Sequence, residues 1–399
     1  MKRLIKFRKI PFIALLLLVS SCRATPRQDA NPKMLVTGAE RTEIYLPMLK
    51  GKNIGLVANH TSLIGTTHLL DSLLALEVNI IKVFSPEHGF RGDADAGAQV
   101  SGGIDPKTGV AVVSLYGQKK KPTQEDLLGL ELVIFDIQDV GARFYTYIST
   151  MTLVMEACAE KSIPLMVLDR PNPNGFYVDG PVLEPEYTTF VGLHPVPVVH
   201  GMTVAEYAQM VNGEGWLEAG LSCELKVVPM LNYDHQTLYE LPVKPSPNLQ
   251  DMTSVYLYPS LCFFEGTMMS VGRGTGKPFR IIGHPDYTEG DFKFIPVATP
   301  GAALNPPFKD QECVGFDFSD MAYSIILHQR LSLQPLINAY RFFKNEKSFF
   351  NNYFNTLAGT ATLRAQIEAG LSEAEIRESW QEDLAEFRKT RKKYLLYDD

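Results

Sequence analysis

Two carboxylates in this 399-residue chain stand where acid–base chemistry is easiest to arrange. Glu87 lies in Phe84-Ser85-Pro86-Glu87-His88-Gly89-Phe90-Arg91-Gly92, directly after the apolar run Val78–Phe84. That run has the length and β-branched content of a buried strand, and Pro86, which cannot donate to a sheet ladder, ends it. A carboxyl at the mouth of a buried strand is set where desolvation favours its protonated form, and His88 beside it can orient or tune it. The plainer alternative is a turn-capping Glu87 and a packed His88. Glu265 follows the aromatic run Phe263-Phe264 and precedes Gly266, a second carboxylate in an apolar wall, or else a turn residue.

The elements needed to position such groups form a repeated rhythm. Apolar runs at Asn53–Ala58, Val78–Phe84, Val110–Leu115, Leu132–Ile137 and Pro164–Leu168 alternate with helical patterns at His68–Leu76, Thr123–Leu128 and Tyr147–Lys161. Strands alternating with helices imply βαβ units and a mostly parallel sheet, and unbroken apolar strands imply cover on both faces. Ligands then bind outside the carboxyl ends of the strands. Four of these five strands run out into polar clusters: Asn59-His60-Thr61, Glu87-His88, Gln138-Asp139 with Arg143, and Asp169-Arg170. Convergence of those clusters on one edge favours a working role for Glu87.

Familiar cofactor and nucleophile motifs are missing. No GxGxxG follows the first strand. Gly272-Arg273-Gly274-Thr275-Gly276-Lys277-Pro278 fails as a phosphate loop, because Val271 and Pro278 stand at required positions. There is no HExxH and no Gly-x-Ser-x-Gly elbow. The cysteines after Cys22, namely Cys158, Cys223, Cys262 and Cys313, form no CxxC pair, so a metal cluster is not indicated.

At the start, a basic Met1–Lys9 precedes an apolar stretch of about ten residues and then Val19-Ser20-Ser21-Cys22. The apolar stretch is short of the roughly 20 residues of a membrane span, so 1–21 reads as a signal peptide. The small residues before Cys22 resemble a bacterial lipobox, which implies lipidation of Cys22, a flexible tether over 22–40 and a periplasmic, membrane-anchored body, with the outer membrane favoured over the inner. Losing residues 1–21 removes five basic and no acidic residues and takes the formal charge from −7 to −12, which argues against nucleic acid as a partner. The length suggests two domains, set at 41–200 and 201–399. The second half is less regular. It holds a capping box at Thr203 and Glu206, a strand at Leu225–Val228, a loop-rich Pro242–Pro259, strand-then-helix patterns from Asp317 to Leu357, and two helical segments over Thr362–Tyr394.

From about Gly51 to Leu396 the chain resembles the NamZ-type exo-β-N-acetylmuramidases. The matching stretches are Asn59–Ser62, Ser85–Gly92, Phe135–Tyr147, Asp169–Pro173, Leu257–Ser260, Phe264–Thr267 and Gly272–Thr275. The resemblance implies an α/β protein: a Rossmann-like, mostly parallel sheet domain, then a smaller α+β domain, with the active cleft between them. It implies release of N-acetylmuramic acid from non-reducing ends of peptidoglycan fragments, with no metal or organic cofactor. Glycosidic cleavage usually takes one carboxylic acid to protonate the leaving oxygen and a second group as nucleophile or base. Glu87 fits the first role, with His88 assisting, and Glu265 or Asp139 the second. The substrate's lactyl carboxylate calls for a cation, with Arg143 and Arg273 foremost and Arg170 behind them. Asn59, Gln138, Tyr145 and Asp169 fall in the matching stretches as further substrate contacts. A non-catalytic glycan-binding lipoprotein using the same cleft is the rival reading.

Overall fold

The computed structural model describes residues 34–87, 89–91, 102–345 and 348–399. The signal segment, Cys22 and His88 lie outside them. Among the described residues no helix is long and apolar enough to cross a membrane.

The strands that the apolar runs foretell are present: β1 (Ile54–Ala58), β2 (Ile80–Ser85), β4 (Ala111–Ser114), β5 (Leu132–Asp136) and β6 (Leu165–Leu168). With β3 (Gly103–Ile104) and β9 (Leu225–Val228) they form a seven-stranded sheet in the order β9-β6-β5-β1-β2-β4-β3. All its pairings are parallel except β3 with β4. β9 lies beyond residue 200 in sequence yet pairs with β6, so the large sheet draws on the chain as far as Val228. The registers align the strand ends: Val57 pairs with both Phe84 and Phe135, Phe84 with Val113, and Phe135 with Val167. The segments that follow β1, β2, β4, β5 and β6 therefore leave from one edge.

Alternate residues of the buried strands feed two cores. Leu56, Ile54 and Ile134 face α1 (Thr42–Leu49) and α2 (Leu69–Ala75), whereas Val57, Phe84 and Phe135 join a larger core with α3 (Tyr147–Glu160) and α4 (Val204–Gly213). This double cover explains the absence of polar alternation in the strands. The α4 start is the capping box read from the sequence: Thr203 Oγ1 accepts from the Glu206 N–H, and the Glu206 carboxylate accepts from the Thr203 N–H. A separate antiparallel pair, β7 (Asp179–Val182) and β8 (Pro197–Val199), stands outside the sheet.

The C-terminal part is α+β. It has α5 (Met252–Leu261), a three-stranded antiparallel sheet of β10 (Ile281–His284), β11 (Phe292–Phe294) and β12 (Cys313–Asp317), and helices α6 (Met321–His328), α7 (Gln334–Phe343), α8 (Tyr353–Ala358), α9 (Thr362–Glu368), α10 (Glu373–Glu378) and α11 (Gln381–Arg391).

Three local expectations change. The helix expected over 123–128 is absent, and residues 124–129 form turns. Thr123 and Asp126 exchange cap-like hydrogen bonds, but Gly129 follows before a second turn can form. The stretch expected to be loop up to Pro259 contains α5, capped by Asp251, whose Oδ1 accepts from the Ser254 N–H at 2.8 Å. Pro259 has no N–H for the Val255 carbonyl four residues back. The Asn174 side-chain amide donates to that carbonyl instead, at 3.2 Å. Finally, the last helical region divides in three, because Ser372 caps α10 and buried Trp380 begins α11.

Candidate active site

At the carboxyl edge of the sheet lies a cavity of about 450 Å³ whose walls come from both parts of the chain. One wall holds Glu87 after β2, Tyr116 and Lys120 after β4, and Tyr145 and Tyr147 after β5. The other holds Tyr258 of α5, Glu265, Arg273 and Tyr353 of α8. In an open α/β sheet the switch point, here between β1 and β5, is the usual ligand crevice. In this chain the two loops are fastened there: Ser62 Oγ donates to the Asp136 carbonyl, and the Gln138 N–H to Thr61 Oγ1. The open space sits beside the switch point, over β2 and β4.

Glu87 is half-buried in the turn that Pro86 forces at the end of β2. The Tyr116 hydroxyl hydrogen-bonds to it, and burial together with that carboxylate pushes the tyrosine up to about 12. Burial and then Glu87 also hold the Tyr147 phenol well above its ordinary range. Across the cavity Glu265 is carried on a 3-10 turn, Cys262–Gly266, that continues α5. Arg273 Nε donates to Glu265 Oε1 at 2.7 Å, and its guanidinium lies 5.0 Å from the Phe279 ring centroid. Cys262 Sγ donates to the other carboxylate oxygen at 3.7 Å. Gly266 is required by close approach: a Cβ there would stand 2.4 Å from Phe354 Cα in α8. The Tyr353 hydroxyl feels both carboxylates, Glu265 more than Glu87, after the larger effect of burial. Two carboxylates from opposite walls, with phenols and one guanidinium between them, can protonate a leaving oxygen and stabilise positive charge at the carbon it leaves.

Other residues expected at the site stand elsewhere. Arg143 is corrected from substrate cation to structural bolt. It is 1% exposed, and its guanidinium donates to four carbonyls: Pro181 at 2.9 Å, Val196 at 2.8 Å, Leu357 at 3.0 Å and Ala358 at 2.7 Å. Burial lowers it to about 9. Arg170 is committed to buried Asp136 at the end of β5 and to the Leu63 carbonyl. Asp169 accepts from Thr203 Oγ1, the Tyr397 hydroxyl and the Ala205 N–H, and burial raises it to about 7. Gln138 donates to the Asp139 and Pro171 carbonyls. Asn59 braces its own turn by accepting from Thr61, and its side chain sits behind Tyr147. Asp139 does not line the cavity. It accepts from the Gly141 N–H at 2.7 Å, and burial raises it to about 7. Each of these residues lies in a segment that leaves the carboxyl end of a strand, but its side chain turns back into the body to satisfy buried polar groups. Tyr145 does reach the cavity, with its hydroxyl donating to the Pro245 carbonyl at 2.7 Å.

The sequence reading missed Tyr116, Lys120, Tyr147, Tyr258 and Tyr353 as wall residues. Tyr116 carried a signal, because it ends the one strand without a charged cluster. Lys120 sits in Lys119-Lys120-Lys121, a run that reads as solvated surface charge. Among the described residues no group of three or more His, Cys, Asp and Glu side chains is placed to hold a metal ion, and the four cysteines beyond Cys22 are unpaired and buried.

Comparison with known proteins places relatives beside this geometry. Residues 54–253 match the N-terminal, and residues 256–397 the C-terminal, domain of "Exo-beta-N-acetylmuramidase NamZ". The peptidoglycan β-N-acetylmuramidase NamZ of Bacillus subtilis (strain 168) is 41% identical over 403 residues, covering 95% of this chain and 96% of the relative. Two crystal structures of DUF1343 family proteins from Bacteroides fragilis NCTC 9343 share the fold. One has a TM-score of 0.86 at 46% identity, over 92% of this chain and 99% of its own. The other has a TM-score of 0.76 at 28% identity, over 91% and 99%.

Proposed function

This chain belongs to the NamZ exo-β-N-acetylmuramidase family, and from that premise we propose a peptidoglycan glycosidase in which Glu87 is the general acid. The enzyme hydrolyses the bond between a terminal N-acetylmuramic acid and the next sugar of a peptidoglycan fragment. Glu87 gives its proton to the departing oxygen, with Tyr116 fixing the carboxyl. Glu265, oriented by Arg273, faces the positive charge that develops at the anomeric carbon. The observation that carries this reading is the pair of carboxylates on opposite walls of one cavity, each held by its own donor. A simple binding module has no use for a second carboxylate opposite the first.

Glu87→Gln tests it. General acid catalysis supplies about 10²–10⁴-fold. The variant keeps its fold and its binding of N-acetylmuramic acid, and turnover of a β-N-acetylmuramide with a poor leaving group falls by about that factor. Retention of more than about a tenth of the rate refutes the assignment.

The enzyme's place in the cell is part of the same proposal. A signal peptide over 1–21 and a lipid on Cys22 put the body in the periplasm, tethered to a membrane, the outer one favoured. The basic start, the short apolar run and the small residues before Cys22 support this, as does a substrate class that belongs to the cell wall.

A further inference from the structure

The substrate of the proposed reaction differs from an N-acetylglucosamine ring by an ether-linked lactyl group that ends in a carboxylate. The cavity must therefore admit an anion between Glu87 and Glu265. Among the described residues its charged lining consists of those two carboxylates, Arg273 and Lys120. Arg273 is already engaged by Glu265 at 2.7 Å, so that pair offers no net charge to a third group. Arg143 is sealed among carbonyls.

We propose that Lys120 is the specificity-determining cation that receives the lactyl carboxylate. This inference rests on the reading of the cavity as a muramidase site. Lys119, Lys120 and Lys121 follow β4 without regular structure, and their side chains divide the work. Lys119 Nζ donates to Asp126 at 2.8 Å. Lys121 Nζ donates to Glu156 at 3.0 Å and to Glu160 at 2.7 Å. The middle lysine turns the other way, into the cavity. Among the described residues its ammonium meets no carboxylate; it lies 4.4 Å from the centroid of the Phe190 ring. A cation–π contact aims an ammonium without neutralising it, so the charge stays available to a ligand. Phe190, Val191 and Leu357 line the same cavity and give an apolar surface for the lactyl methyl. Ammonium, aromatic face and aliphatic patch match the three parts of that substituent: carboxylate, ether-bearing carbon and methyl.

The test measures binding in the Glu87→Gln protein, where no turnover interferes. The probes are N-acetylmuramic acid, its lactyl N-methylamide and N-acetylglucosamine, titrated by calorimetry. With Lys120 present, the acid binds about tenfold or more tightly than the amide, the gain expected of a charge-assisted contact at a partly open site. Lys120→Met abolishes that preference at unchanged melting temperature and leaves N-acetylglucosamine binding as it was, whereas Lys120→Arg keeps the preference. A Lys120→Met protein that still favours the acid by the original factor overturns the assignment. Turnover by the Glu87-intact protein separates this inference from its premise. Lys120-dependent binding without any muramide hydrolysis overturns the hydrolase reading alone. Normal hydrolysis with charge-blind binding overturns the Lys120 reading alone.

Discussion

Replacing Arg143 by Met distinguishes a bolt from a substrate contact. The guanidinium satisfies the carbonyls of Pro181, Val196, Leu357 and Ala358, and its own exposure is 1%. A buried acceptor left without a donor costs about 1–3 kcal/mol, so four set a ceiling of about 4–12 kcal/mol. Two effects reduce it. Met removes a charge whose burial is itself costly, as the drop of Arg143 to about 9 records, and small shifts let some carbonyls find other donors. With those two reductions the expected loss lies toward the low end of that range, at about 3–5 kcal/mol. At about 2.1 cal/mol/K per residue, the body Leu35–Asp399 unfolds with an entropy near 0.8 kcal/mol/K, so the melting temperature should fall by about 4–7 °C. Calorimetry and urea unfolding measure this, and kinetics at 25 °C complete the comparison, with KM for a β-N-acetylmuramide within about twofold of the parent. Arg143→Lys recovers less than half of the loss, because three rotatable donors cannot serve four fixed acceptors. A stability change under about 1 kcal/mol, together with a tenfold rise in KM, would refute the reasoning and return Arg143 to the substrate.

Asp139 links stability to pH. Burial raises its carboxyl from the ordinary 3.8 to about 7, so the folded state holds that proton more tightly than the unfolded one. Its contribution is full below about pH 4 and is lost as pH rises through 7, at up to about 1.4 kcal/mol per pH unit. Asp139→Asn should therefore gain stability relative to the parent between pH 5 and 7.5, with the gap narrowing toward acid; parallel stability profiles would refute this. Cys22→Ala, expressed in a bacterium from the full chain, should abolish incorporation of labelled palmitate and move the protein from the membrane fraction to the soluble one. Unchanged labelling would show that Cys22 is not the acylated residue.

The strands were legible because burial on both faces leaves unbroken apolar runs, as in Leu132–Phe135, and these have no competing reading. Their shared edge was legible for the same reason. Side-chain direction past that edge was not. Asp169, Arg170 and Gln138 look like site residues in sequence, since polar clusters after strands serve catalysis and loop bracing alike. Only the partners separate the two, as when Asp169 meets Tyr397 from 228 residues away. The same limit hid Lys120. Local pattern makes it one of three solvated lysines, and only Asp126, Glu156 and Glu160 drawing its neighbours outward leave it facing in. Helix α5 was missed because proline within a helix is usually disqualifying, and the remedy, Asn174, lies 81 residues away from the carbonyl it serves.

The grip of Arg143 also sets what this enzyme can become. Leu357, whose carbonyl it holds, lines the cavity, and Arg143 itself adjoins Phe144 and Tyr145 of the facing wall. The two walls are thus tied to each other from behind by the hydrogen bonds of one guanidinium. Such a tie favours a cleft that meets its ligand already shaped, with less of the binding energy diverted into a closing motion. Inheritance is constrained in the same way. Exchanging one half of the gene for that of a distant relative would have to preserve the guanidinium on one side and the carbonyl geometry on the other. New tastes in sugar must then arise at the rim, in the loops bearing Lys120 and Phe190.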